Sequence, residues 1–256
     1  MNLRLLAAGL VAVTCILGAP AFAANDIGVV LMHGKQGAPD RLIGGLASRL
    51  ESADYRVDRP EMCFSGRRIY DLAYQECFRD IDAAIGRLRA AGARRIVVAG
   101  LSLGGNMAIG YGATHDGLAG VIALAPAGDT STMPRNSSVG AAIQQAQAAR
   151  SQTTPMSFAD SNTGARFTVT TTPAIYLSFH AAGTLADLTV STPRLRAPLL
   201  WVAGEEDPTQ QSGPGHAFAK APPSPLNRYE TVGAAHRGTA DAAGEVVLAW
   251  LAALPR

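Results

Sequence analysis

The chain has 256 residues, 48% hydrophobic and 16% charged, with a formal net charge of +2. That suffices for one well-filled core and is too little for two large domains. The positive residues are dispersed, densest at Arg67-Arg68 and Arg94-Arg95, so no basic stripe of a nucleic-acid binder is present. The 27 glycines and 15 prolines follow no period, which excludes collagen-like architecture.

The first residues read as an export signal. A positive start at Met1 to Arg4 leads into an apolar run from Leu5 to Leu17, then a Gly-Ala-Pro break and small residues ending at Ala23. Cleavage is expected after Ala23, leaving a mature chain from Ala24 in the periplasm or secreted medium. The run is too short to anchor the protein across a bilayer, and no later stretch is long and apolar enough to span. Two cysteines then remain, Cys63 and Cys77. An even count in an exported chain favours a disulfide over two buried free thiols.

The remaining sequence alternates strand-like and helix-like stretches. Residues 27–33 form a short apolar run that ends at a glycine, as a buried parallel strand does. Residues 38–53 carry Leu42, Leu46 and Leu50 at four-residue spacing, predicting an amphipathic helix. Residues 55–62 predict a strand near an edge, because Pro60 cannot donate to a ladder. A helix is predicted over 70–92, its stripe running from Ala73 through Cys77, Ile81, Ala84, Ile85 and Leu88 to a stop at Gly92. A third strand before Gly100, a small-residue helix, strands at 120–126, 197–204 and 227–233, and a last helix at 244–254 complete the alternation. Such alternation predicts an α/β fold with a mostly parallel twisted sheet and helices on both faces.

Residues 127–193 break the rhythm. They are rich in Ser, Thr, Ala and Gln, with a possible helix at 139–150 and a segment at 167–179 that turns from polar to apolar. A long excursion between sheet strands reads as a cap or lid inserted in a single domain. Its Phe158, Phe167, Tyr176 and Phe179 either line an apolar pocket or fill the excursion's own core.

The chemistry centres on Gly100-Leu101-Ser102-Leu103-Gly104, between the third strand and its helix. The pentapeptide is weak evidence alone; its strand-to-helix setting strengthens it. A serine hydroxyl needs a base, a group that orients the base, and donors for the developing oxyanion. After a later strand come Glu205, Glu206 and Asp207; Asp207, before a proline, is chosen as the acid. His236 follows the last strand. The order Ser102, Asp207, His236 is that of one known triad arrangement. The loop His33-Gly34-Lys35-Gln36-Gly37 after the first strand offers the Lys35 N–H as an oxyanion donor beside that of Leu103. His33 reads as a structural histidine and the Lys35 side chain as a solvated one.

These pieces resemble the α/β-hydrolase superfamily, in the form of a small exported bacterial serine hydrolase. The likeness covers residues 27 to 254 apart from the excursion. It implies a Ser102/His236/Asp207 triad and no metal or organic cofactor; the serine relay itself suits acyl transfer to water from a small-molecule carboxylic ester or thioester. The excursion differs in composition from the helical caps common in that superfamily, so no substrate class carries over. The rival reading is a non-catalytic binding protein on the same fold. The five histidines lack metal-ligand spacing, and neither a dinucleotide nor a Walker pattern follows the first strand. Nucleic-acid and stable membrane partners are not expected, and the sequence assigns no oligomeric state.

Overall fold

The structure is a computed structural model that describes residues 26–255 apart from 133, 134 and 211. The expected leader and its cleavage site at Ala23 lie outside the described residues. No helix among the described residues is long and apolar enough to cross a membrane.

Six parallel strands form one sheet, in the order β2-β1-β3-β4-β7-β8. They are β1 (Ile27–Met32), β2 (Arg56–Asp58), β3 (Arg95–Leu101), β4 (Gly120–Leu124), β7 (Leu199–Gly204) and β8 (Arg228–Val232). Two further strands, β5 (Met156–Asn162) and β6 (Ala165–Thr171), pair antiparallel outside this sheet. The helices are α1 (Gly44–Ser52), α2 (Phe78–Ala90), α3 (Leu103–Gly112), α4 (Ser138–Gln147), α5 (Pro173–His180), α9 (Gly244–Ala252) and the single turns α6 (Leu188–Ser191), α7 (Gly213–His216) and α8 (Thr239–Ala242).

The near-continuous apolar strands are explained by cover on both faces. Alternate residues of β1 point to opposite sides. Val30 and Met32 join a buried cluster with Ile81 and Leu88 of α2 and Met107 of α3. Val29 and Leu31 join another with Leu46 and Leu50 of α1 and Trp250 of α9. Each fully buried aliphatic side chain contributes about 1.5–3 kcal/mol. Phe158, Val169, Tyr176 and Phe179 of the excursion belong to the same cluster as α2 and α3.

Three boundaries differ from the sequence expectation. The first helix begins only at Gly44 because Leu42 has φ +65°, outside helical space, and is 37% exposed instead of joining Leu46 and Leu50. The edge strand β2 is confirmed at the margin of the sheet but spans only Arg56–Asp58. The second helix begins at Phe78, eight residues late. Ile69 and Tyr70 have φ of +40° and +58°, and Cys63 is joined to Cys77 with Cα atoms 5.6 Å apart, which holds the intervening segment as a looped strap. A closed loop of that size contributes on the order of 3 kcal/mol through the unfolded chain.

Candidate active site

All the singled-out residues emerge at the carboxyl edge of the sheet, where parallel α/β folds place their ligands. Ser102 follows β3 and precedes α3, with φ +59° and ψ −121°. That conformation is strained for a non-glycine residue, at a cost of about 1–3 kcal/mol. It is held from both sides: the Ser102 N–H donates to the Leu124 carbonyl at 2.9 Å, and the Ala127 N–H donates to the Ser102 carbonyl at 3.1 Å. The tight turn demands glycines around it. A Cβ on Gly100 would lie 2.3 Å from the Gly104 carbonyl carbon, and one on Gly104 would lie 2.5 Å from the His33 carbonyl oxygen.

Asp207 lies just past β7 and His236 just past β8. His236 Nε2 is 2.9 Å from Ser102 Oγ, and His236 Nδ1 is 2.6 Å from Asp207 Oδ2. All three are buried, yet Ser102 and His236 still line a cavity. Burial by itself would raise the Asp207 carboxyl, but hydrogen bonds from His236 and from the Thr209 N–H outweigh it and hold the group below its ordinary value. Thr209 also donates its hydroxyl to Asp207 Oδ1 at 2.8 Å. The acidic turn is therefore resolved by geometry: Glu205 and Glu206 are exposed, while Asp207 turns inward.

The loop after β1 packs against the elbow, since a Cβ on Gly34 would lie 3.1 Å from that of Ser102. Leu103 opens α3, where first-turn N–H groups have no intrahelical acceptor. The Lys35 N–H makes no hydrogen bond among the described residues. Neither N–H is committed to an acceptor among the described residues. His33 is fully buried; it accepts from the Met62 N–H at Nε2, which leaves Nδ1 to donate to the Gly34 carbonyl at 2.8 Å. Burial lowers its pKa, consistent with a neutral structural histidine.

The Lys35 side chain is not solvated, contrary to the sequence expectation. Its Nζ donates to both oxygens of Asp160 on β5, at 2.8 and 3.0 Å, and to the Ser161 carbonyl at 3.1 Å. Asn162 Nδ2 donates to the Lys35 carbonyl at 2.8 Å. Asp160 is 1% exposed and also accepts from the Tyr70 hydroxyl at 2.9 Å. Burial opposes its charge, but His180 and Lys35 overcome that and keep the carboxyl well below the usual range. One end of the β5–β6 hairpin therefore grips the loop that carries the Lys35 N–H.

The excursion's aromatic residues are settled as core. Phe158, Tyr176 and Phe179 are at most 2% exposed, Phe167 packs against the same cluster, and none lines the cavity at Ser102. That cavity, about 220 Å³, is walled by the Gly34–Gly37 loop, Arg41, Leu42, Arg237 and the hairpin turn at Thr163. A larger cavity of about 830 Å³ lies on the other side of the hairpin and reaches neither Ser102 nor His236. Sequence reasoning missed Thr209, Asp160 and Asn162. The hairpin had a local signal: Thr163 and Gly164, with φ of +45° and +85°, form a two-residue loop between alternating strands.

Comparison with known proteins agrees with this geometry. The family model described as serine aminopeptidase, S33, matches residues 23–237. The chain is an α/β hydrolase of this family. No curated protein matches it in sequence. Among solved structures, this α/β hydrolase is similar to a structure of the metagenome-derived lipolytic enzymes LipS and LipT, at 20% identity and TM-score 0.64 over 90% of this chain and 93% of that one. It is similar to the Paleococcus ferrophilus monoacylglycerol lipase, at 20% identity and TM-score 0.62 over 89% and 95%. It is also similar to the α/β hydrolase GrgF from Penicillium sp. sh18, at 16% identity and TM-score 0.65 over 89% of each chain. At these identities the likeness to the hydrolase structures is one of fold.

Proposed function

We propose that this chain is an exported serine hydrolase, periplasmic or secreted, that cleaves a carboxylic ester or thioester through an acyl-enzyme on Ser102. The observation that carries the reading is the continuous relay from Asp207 Oδ2 through His236 to Ser102 Oγ, at 2.6 and 2.9 Å. In this reading His236 Nε2 takes the hydroxyl proton as Oγ attacks the carbonyl carbon. Asp207 holds the imidazole by its Nδ1–H and stabilises the imidazolium. The oxygen that becomes negative is met by the Lys35 and Leu103 N–H groups. His236 then returns the proton to the leaving group, and water attacks the acyl-enzyme by the same relay in reverse. Residues 127–193 act as the cap over this site.

The family description names an aminopeptidase, and the local charge supports an ester instead. An aminopeptidase must hold a free α-ammonium beside the nucleophile. Among the described residues lining the cavity at Ser102, none is acidic. Asp207 is committed to His236 behind it.

Labelling of the mature protein by a fluorophosphonate probe tests the reading. Labelling is expected for the unchanged protein and lost in Ser102→Ala and His236→Ala, with hydrolysis then found in a panel of esters and thioesters. A folded protein that takes no label would return the non-catalytic binding reading.

A further inference from the structure

The cavity at Ser102 carries an unbalanced charge. Three cationic residues line it: Lys35, Arg41 and Arg237. Lys35 is neutralised by the Asp160 carboxylate at 2.8 Å. Arg41 and Arg237 are exposed, and neither guanidinium has a hydrogen-bond or ion-pair partner among the described residues. Some arginines elsewhere are paired, Arg59 with Asp40, Arg87 with Asp58 and Arg196 with Asp116, while others such as Arg89, Arg150 and Arg228 are unpaired but do not line this cavity. What sets these two apart is their place: both line the cavity at Ser102, from different elements. Arg41 lies in the loop between β1 and α1, and Arg237 directly follows His236. The walls between them are mixed: Gln36, Asn162 and Thr163 are polar, while Leu42, Leu101 and Ala165 are apolar.

Two guanidiniums beside a small cleft with no carboxylate on its walls make a receptor for an anion. A neutral ester would leave both arginines without a partner. An ester with a carboxylate or phosphate near its scissile carbonyl would pair with them while the carbonyl sits at Ser102. Partly desolvated walls and a long-range positive field would also raise its local concentration.

We propose that the substrate is a small ester or thioester bearing an anionic group, held by Arg41 and Arg237 next to Ser102. The inference rests on the hydrolase reading above for the ester. It rests on the arginine pair for the anion.

Two matched pairs of esters test it. 4-Nitrophenyl hemiglutarate carries the charge on the acyl side, and 4-nitrophenyl glutaramate is its neutral counterpart. 4-Carboxyphenyl butyrate carries the charge on the alcohol side, and 4-carbamoylphenyl butyrate is its neutral counterpart. In at least one pair kcat/KM should favour the anion by about tenfold or more, chiefly through KM, as expected of charge-assisted hydrogen bonds. Arg41→Gln and Arg237→Gln should each shrink that ratio, the double variant should bring it near one, and Arg237→Glu should invert it. The ratio should also fall as ionic strength rises from about 0.02 to 0.5 M. Competition by inorganic phosphate where acetate is inert would assign the anion to a phosphate; the reverse would assign it to a carboxylate. Binding of the same pairs to Ser102→Ala, measured by calorimetry, separates the two readings. Loss of labelling and hydrolysis with retained preference in binding would remove the hydrolase and keep the anion site. Equal binding and equal kcat/KM within both pairs, or a ratio unmoved in the double arginine variant, would overturn the inference.

Discussion

Lys35 in the loop after β1 and Asp160 on β5 stand 125 residues apart in sequence and 2.8 Å apart in space. Asp160 is buried and the Lys35 side chain nearly so, and removing the ammonium leaves that carboxylate with only the Tyr70 and His180 side chains beside it, at a cost of up to about 3–5 kcal/mol. Lys35→Met should therefore destabilise the fold. Asp160→Asn keeps the shape and part of the hydrogen bonding, and should lower kcat more than it raises KM, because the oxyanion donor shifts while the cavity stays. A chemical denaturation curve together with the kcat and KM of both variants checks this. A change confined to KM would separate Asp160 from the oxyanion loop.

Ser102 pays in backbone strain for a hydroxyl turned toward the cavity. With φ +59° the position suits glycine. Ser102→Gly should raise stability by about 1 kcal/mol while abolishing fluorophosphonate labelling. Gly100→Ala should do the opposite, since its Cβ would meet backbone at 2.3 Å. Melting temperatures of both variants give the comparison.

Thr209 braces the acid from two sides, by N–H and hydroxyl, at 2.9 and 2.8 Å from Asp207 Oδ1. Thr209→Val removes the hydroxyl and keeps the shape. It should lower kcat by about tenfold, the scale of one hydrogen bond to a charged group. In Asp207→Asn the same substitution should add little, because residues acting as a unit are not additive. The four-member kinetic cycle measures this.

The acid limb of stability follows from Asp160 and Asp207. Both carboxyls are held below their ordinary value of 3.8 in the folded protein. Between their folded values and that ordinary value the unfolded chain binds more protons, so stability rises with pH across that window. It is fully present above about pH 5 and erodes as pH falls through 4 and below. Urea midpoints between pH 2 and 6 should show this slope, and Asp160→Asn should flatten it.

Reduction of Cys63–Cys77 should reach the site. The strap it closes includes Phe64, whose carbonyl accepts from the Gln36 N–H, and Tyr70, whose hydroxyl donates to Asp160. Dithiothreitol or Cys77→Ala should lower stability by about 3 kcal/mol and slow labelling at Ser102. An unchanged labelling rate would confine the bridge to a stabilising part.

Much of this frame was legible because short-range signals carried it. Buried parallel strands announce themselves as apolar runs, and the elbow by the glycines its turn requires. Ser102, Asp207 and His236 could be ordered along the chain because each follows a strand. What escaped depends on distant partners. Nothing near Lys35 tells that its charge meets Asp160, and nothing near Ala73 tells that a strap delays α2 to Phe78. The aromatic residues of the excursion were undecided because periodicity cannot distinguish a pocket wall from a core. Leu42 kept its four-residue spacing yet left the helix, since a single positive φ outranks a pattern.

The β5–β6 hairpin joins two tasks in one segment. Its turn at Thr163 lines the cavity at Ser102, and just before it Asp160 and Asn162 grip Lys35. Selectivity and turnover then share one hinge pin. Exchanging this segment for another would also release Lys35, so a productive graft must bring its own acid for it. Changes at Thr163 and Ala165, which leave that grip intact, are the freer route by which such an enzyme could drift toward new substrates.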